Sequence, residues 1–327
     1  MKRYIAFILT ALLIVSCKNE TKNVKISGAV FGTTYSVQYY SASNLNFETQ
    51  FDSLFYVINK SMSTYQVNSD ISKLNRNEPI LVDNHFIKVL DVSYKIYKQT
   101  EGAFDPTIGI LVNAWDFGPE GKIAKLDSLK IDSLMQYVGL NKVSRINKSI
   151  NKPKGIFIDF NAIAKGYGVD VIADFLGNQH IENYLVEIGG EIRAKGNNIS
   201  TQSNWKVGIE KPNFDGSQSI MKAIALKDKA MATSGTYRKF KMDENGNRYA
   251  HIIDAKTGYP SKTNLLSISV IAEDCMTADA YATAFKAMGI DKVKTFLKQH
   301  PEFKVFLIFE NEKKELETLT LNGFPEN

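Results

Sequence analysis

Asp279 and Thr283 stand four residues apart in CMTADAYATAFKAMG (residues 275–289), a run whose Ala280, Ala284, Ala287 and Met288 otherwise read as the wall of a packed helix. Positions i and i+4 lie one above the other on a helix, so a carboxylate and a hydroxyl share one face. Two hard oxygen donors at that spacing suit a magnesium or calcium ion. The same spacing also allows a plainer reading, in which Asp279 is an acidic first-turn residue favoured by the helix dipole.

Three other polar clusters lie at the ends of apolar runs. Gly102-Ala103-Phe104-Asp105-Pro106-Thr107 is a sharp turn after a helical stretch, and the proline biases Asp105 towards an extended backbone. In IDFNAIAKGYGVD (158–170) a buried strand ends at Asp159 and a helix begins at Asn161, with Lys165 one turn in; helix amines and a lysine together bind anions. The spacing is not that of a P-loop. MATSGTYRKF (231–240) and YAHIIDAKTGYPS (249–261) bring His251 and Asp254 to a strand end, some fifteen residues after a Ser-Gly-Thr turn. Asp254 either orients His251 or caps the next turn. The other three histidines, His85, His180 and His300, read as surface residues. Without a Cys/His cluster there is no structural zinc site.

The elements that must position these groups are mixed. Helical spacing runs over 51–59 and 85–100, and again after Asn161 through Val169, Ile172, Ala173 and Leu176. Strand patterns cover 28–40, paired about Gly32, then 155–160, 184–188 with 191–194, 205–210, 220–226, 249–253, 265–271 and 304–309. Strand runs broken by a few helices argue for a single α+β domain rather than an alternating parallel sheet. No repeat, low-complexity tract or linker divides the chain.

Lys2 and Arg3, an apolar stretch from Tyr4 to Val15, and the exit Ser16-Cys17 read as a secretory signal over residues 1–16. The apolar stretch is short of the roughly 20 residues that span a bilayer. Ile14-Val15-Ser16-Cys17 resembles a bacterial lipobox, which makes Cys17 the lipidated first residue, residues 17–27 a short tether on the outer face of a membrane, and 28–327 the domain. Removing the signal lowers the formal charge from +5 to +3, and no basic cluster marks a nucleic-acid surface. Cys275 then has no cysteine partner, so the fold rests on its apolar core, drawn from a chain that is 44% hydrophobic.

The clusters fall within eight motifs in this order: FGTTY, STYQ, GAFDPTIG, IDFNAIAKGYGVD, EIGGEIRAKG, ATSGTYRKF, HIIDAKTGYP and MTADAYATA, from about Gly28 to Gly289. So arranged they resemble the ApbE-type flavin transferases, the FAD:protein FMN transferases. The resemblance implies a single large mixed domain of ApbE, tunnelling-fold-like type. It implies FAD as substrate and a Mg²⁺ ion at its diphosphate. Phe31, Tyr65, Ala103, Phe104, Asp105, Asp159 and Lys165 are the implied flavin contacts. The implied metal ligands are the Ala162 carbonyl, Asp279 and Thr283. Some members carry an aspartate just before that threonine, where this chain has Ala282. The implied reaction moves FMN to a Thr or Ser hydroxyl of an acceptor flavoprotein and releases AMP. His251, with a reference pKa near 6.5, is the candidate base. Two other readings are a Mg²⁺-dependent FAD pyrophosphatase and a lipid-anchored flavin-binding protein without catalysis.

Overall fold

Phe31 and Gly32 both adopt left-handed backbone conformations, with φ of 49° and 72°. They fold the opening run into an antiparallel hairpin of Lys22–Val30 on Thr33–Ser41. The computed structural model describes residues 21–326 except 44, 122, 124, 125, 239 and 243–247; the expected signal and Cys17 lie outside the described residues. The second half of the stretch expected to be a tether belongs to the sheet. Val24 and Ile26 alternate with polar residues and pair with Tyr39 and Val37, giving that segment a face to bury.

An eight-stranded sheet organises the molecule. Its order is Lys22–Val30, Thr33–Ser41, Tyr184–Ile188, Glu191–Lys195, Lys229–Gly235, Leu265–Ala272, Lys304–Glu310 and Leu316–Leu321, with every neighbouring pair antiparallel. Helices Glu48–Met62 and Ala164–Asn178 cover one part of a face, where Phe51, Phe55, Val169, Ile172 and Leu176 meet Tyr35, Val37, Tyr39 and Val186. Helices Asn84–Gln99 and Cys275–Met288 continue that layer over Ile268, Val270, Val305 and Leu307. A three-stranded sheet of Asn197–Asn198, Ser203–Glu210 and Ile220–Leu226 packs Trp205, Val207, Ile209 and Ile224 against Ile192, Met231, Ile271, Phe306 and Ile308. Strand Leu265–Ala272 is therefore buried at every position, and it reads as a continuous apolar run rather than an alternating one.

Four expectations need correction. Residues 156–160, buried at 156 and 158–160, join no sheet beyond one bridge, Phe157 to Ile108. The Asn75 side chain stands in for a neighbouring strand, accepting from the Ile158 N–H at 2.8 Å and donating to its carbonyl at 2.9 Å. The following helix starts at Ala164 and Asn161 does not cap it: its side chain donates from Nδ2 to Asp159 Oδ2 at 3.1 Å and its N–H to Asp159 Oδ1 at 2.7 Å. Ser234 and Gly235, expected in a turn, end strand Lys229–Gly235, which runs past the hairpin beside it. Finally, His85 and His300 are only part-exposed: His85 Nδ1 lies 2.6 Å from the Tyr167 hydroxyl, and His300 stacks on Phe296 and pairs with Glu302.

Candidate active site

The helix Cys275–Met288 is pinned at its start from two sides. Asp274 caps it by accepting from Thr277 N–H at 2.8 Å, and Asp170 accepts from Cys275 N–H at 2.9 Å and Met276 N–H at 2.8 Å. Arg193 holds Asp170 at 2.8 Å. Burial pushes the Asp170 carboxyl up to about 6, against the pull of the two N–H groups and Arg193. So fixed, the helix carries Asp279 in its second turn, not its first, at 5% exposure. The plainer reading of Asp279 as a routine first-turn acid does not hold.

Gly166 donates to Asp279 Oδ2 at 2.9 Å. A Cβ on Gly166 would sit 2.3 Å from the Cys275 carbonyl oxygen and 2.8 Å from Asp279 Cβ. Only glycine lets the two helices cross closely enough for that bond. Thr283 lies one turn beyond Asp279 and faces the same cavity, whereas Ala282 is packed in the core with Ala278, Tyr281 and Phe285. This alanine belongs to packing and not to the cavity wall.

Lys165 reaches the same place from the other helix. Its Nζ lies 2.6 Å from Glu191 Oε1, with the lysine side chain 32% exposed and the glutamate 2%. Burial works to lower the lysine pKa, but Glu191 and Asp279 outweigh it and hold the ammonium charged above its ordinary range. Burial likewise raises the Asp279 carboxyl against Lys165 and Gly166. Glu191 is the residue that sequence reasoning passed over. It directly follows Gly189 and Gly190, both at positive φ, and faces inward at the start of strand Glu191–Lys195. Alternation along the strand sets Glu191 on the face of Arg193 and Lys195, opposite Ile192 and Ala194, so nothing in the local pattern marked it as buried.

Aromatic residues line the same cavity. Phe31 packs edge-on against Phe55 with centroids 5.6 Å apart, Phe104 is buried, and Tyr65 stands 58% exposed at the rim. Asp105 reaches this wall, but its carboxylate is engaged by the fold. Oδ1 accepts from Thr107 N–H at 2.8 Å and Thr107 Oγ1 at 2.6 Å, and Oδ2 from Leu140 N–H at 3.2 Å. His251 sits edge-on to Phe117, centroids 6.1 Å apart, next to a small apolar cluster of Leu111, Ala114, Ile131, Leu134 and Ile253. Asp254 accepts from Lys256 N–H at 2.8 Å and so caps its turn.

Phe31, Tyr65, Ala103, Phe104, Asp105, Asp159, Ala162, Lys165, His251, Asp279 and Thr283 all line one cavity of about 1150 Å³, together with Glu191. Asp254 is not part of its lining. Among the described residues no three His, Cys, Asp or Glu side chains form a ready cage for a metal. Magnesium does not need one, since it keeps several waters and binds through one or two carboxylates plus substrate phosphates. The all-oxygen donors here, and a buried Glu191 Oε2 with no hydrogen-bond partner, fit such an ion. The arrangement defines an α+β protein whose cleft is lined both by rings that can seat a planar group and by charged and oxygen groups that can take a phosphate with a hard cation.

Comparison with known proteins identifies the family. The profile of the ApbE family matches residues 31–307. The FAD:protein FMN transferase of Haemophilus influenzae is 39% identical, covering 89% of each chain, and that of Vibrio cholerae is 37% identical at the same coverage. The solved flavin transferase ApbE from Vibrio cholerae superposes with a TM-score of 0.82 at 34% identity, over 92% of this chain and 97% of that one. The chain belongs to the ApbE family.

Proposed function

We propose that this chain is a Mg²⁺-dependent FAD:protein FMN transferase that links FMN through a phosphoester to a Thr or Ser hydroxyl of an acceptor protein and releases AMP. The observation that carries the reading is the single cavity in which Lys165, Asp279 and Thr283 face the same space as Tyr65, Phe104 and His251. The names of the relatives support it.

In this mechanism Phe31, Phe104 and Tyr65 hold the isoalloxazine ring, and Lys165 draws the diphosphate to its ammonium. Asp279, Thr283 and the Ala162 carbonyl would hold magnesium, which would supply positive charge to offset that of the diphosphate. The acceptor oxygen bonds to the FMN-side phosphorus as that phosphorus loses its bridge oxygen to AMP, and His251 takes the hydroxyl proton. Incubating the mature protein with FAD, Mg²⁺ and an acceptor carrying a flavinylation sequence should yield AMP and a covalently fluorescent acceptor. Chelating the metal, or Asp279→Ala in a folded protein, should reduce the rate at least about 100-fold. AMP and FMN formed without labelled acceptor would favour the pyrophosphatase instead.

The same proposal places the protein on the extracytoplasmic side of a bacterial membrane through a lipid on Cys17, supported by the charged, apolar and small-residue order of residues 2–17. The acceptor would then be a membrane-bound or extracytoplasmic redox flavoprotein. Mass spectrometry of the mature N-terminal peptide should find acyl chains on Cys17; an unmodified peptide beginning elsewhere would remove this part of the reading.

A further inference from the structure

Glu191 contributes nothing to the core that its type would explain. One carboxylate oxygen, Oε1, is 2.6 Å from Lys165 Nζ; the other, Oε2, is buried and has no hydrogen-bond partner. Leaving a carboxyl oxygen buried with no hydrogen-bond partner is destabilising. If pairing with Lys165 were the whole role, that second oxygen would be a pure cost. Glu191 as a residue lines the same cavity as Asp279 and Thr283, approached from a third element, the sheet.

We propose that Glu191 is a positioning residue of the cation site: Oε1 holds the Lys165 ammonium in place, and Oε2 is the acceptor kept for the hydration shell of a bound divalent ion. The inference rests on the transferase reading of the cavity. It makes the cation site a three-sided set of oxygens. The helix Cys275–Met288 supplies Asp279 and Thr283, the turn before helix Ala164–Asn178 supplies the Ala162 carbonyl, and the hairpin strand supplies Glu191. A hydrated magnesium ion offers water O–H donors, which a carboxylate accepts and an amide N–H opposes.

Glu191→Gln tests this, because it keeps the volume and an oxygen for Lys165 but can turn a donor towards the position of Oε2. Binding of Mn²⁺, followed by loss of its free EPR signal, should weaken at least about tenfold. Riboflavin affinity of the folded protein, read from flavin fluorescence, should stay within twofold. Glu191→Asp, which keeps the charge but retracts it by a methylene, should recover part of the Mn²⁺ affinity. It also decides the matter if Glu191→Gln does not fold: wild-type Mn²⁺ affinity in Glu191→Asp then overturns the inference. Asp279→Ala separates the two readings. If it loses Mn²⁺ binding while Glu191→Gln does not, the inference fails and the site stands; if neither changes Mn²⁺ binding, both fail.

Discussion

Lys165 shows how one residue can serve fold and ligand together. Its ammonium is the cation for a buried glutamate and the only lysine lining the cavity among the described residues. Lys165→Met, which keeps most of the stem, strands the Glu191 charge; breaking such a buried pair costs up to about 3–5 kcal/mol, less if the carboxyl takes up a proton. Since burial pushes the Glu191 carboxyl up to about 7, with Lys165 pulling it down and Asp279 pushing it up, protonation is within reach and the lower part of that range is expected. Urea unfolding at pH 7 measures the loss. In the folded fraction FAD affinity should fall at least about tenfold and riboflavin affinity hardly at all, while equal losses for both would mean that the lysine does not face phosphate. Helical spacing put Asp279 and Thr283 on one face and Lys165 one turn into another helix, the family resemblance singled them out, and all three line the cavity. Sequence reasoning missed Glu191, whose partner is 26 positions away and is brought near only by packing of a strand on a helix. It also left the role of Asp254 open, which a hydrogen bond two residues along the chain resolves.

The elements that carry the site were legible where their pattern was regular. The helices over 51–59 and 85–100 and the hairpin around Gly189-Gly190 are present within a few residues of their expected bounds. Residues 155–160 look like a strand to any reading of apolarity, yet their backbone partners are an asparagine side chain and a loop carbonyl. Such irregular pairing leaves no periodic trace. The helix Cys275–Met288 has a similar hidden feature at its far end. Lys286 is buried at 1% exposure, and its Nζ donates to Thr263 Oγ1 at 3.1 Å. Burial lowers its pKa from 10.5 to about 8. Between those two values the unfolded chain binds more protons than the folded one, so this group makes stability rise with pH from about 8 to about 10.5. Below pH 8 the folded protein bears the full cost of a buried ammonium. Lys286→Met should therefore stabilise the protein at pH 7 by about 2 kcal/mol, after allowing for the lost hydrogen bond. That gain should shrink towards zero by about pH 10. Urea unfolding of both proteins at pH 7, 8.5 and 10 checks the sign, and a difference independent of pH would show that this lysine is not held charged at a cost.

At the scale of the whole molecule, the cavity is a product of the complete fold. Its walls come from the first hairpin at Phe31, the helix end at Tyr65, the turn at Phe104, the crossing helices at Lys165 and Asp279, the strand at Glu191 and the loop at His251. No contiguous part of the chain contains both the aromatic and the oxygen groups, and the one large sheet links the elements that do. A ligand that bridges those groups binds only the fully folded chain, so its binding energy adds to global stability instead of to one lobe. FAD with Mg²⁺ at 100 times its dissociation constant should add about 2.7 kcal/mol, a rise in melting temperature of about 5 °C. Riboflavin reaches only the aromatic groups, and at the same concentration should shift the transition less. Calorimetry and tryptophan fluorescence should report one transition moving as a unit, since Trp115 lies beside the His251 loop and Trp205 on the opposite face of the sheet. Two transitions, with FAD moving only the one seen by Trp115, would mean that the ligand grips a separately folding part and that the sheet does not couple the site to the rest of the chain.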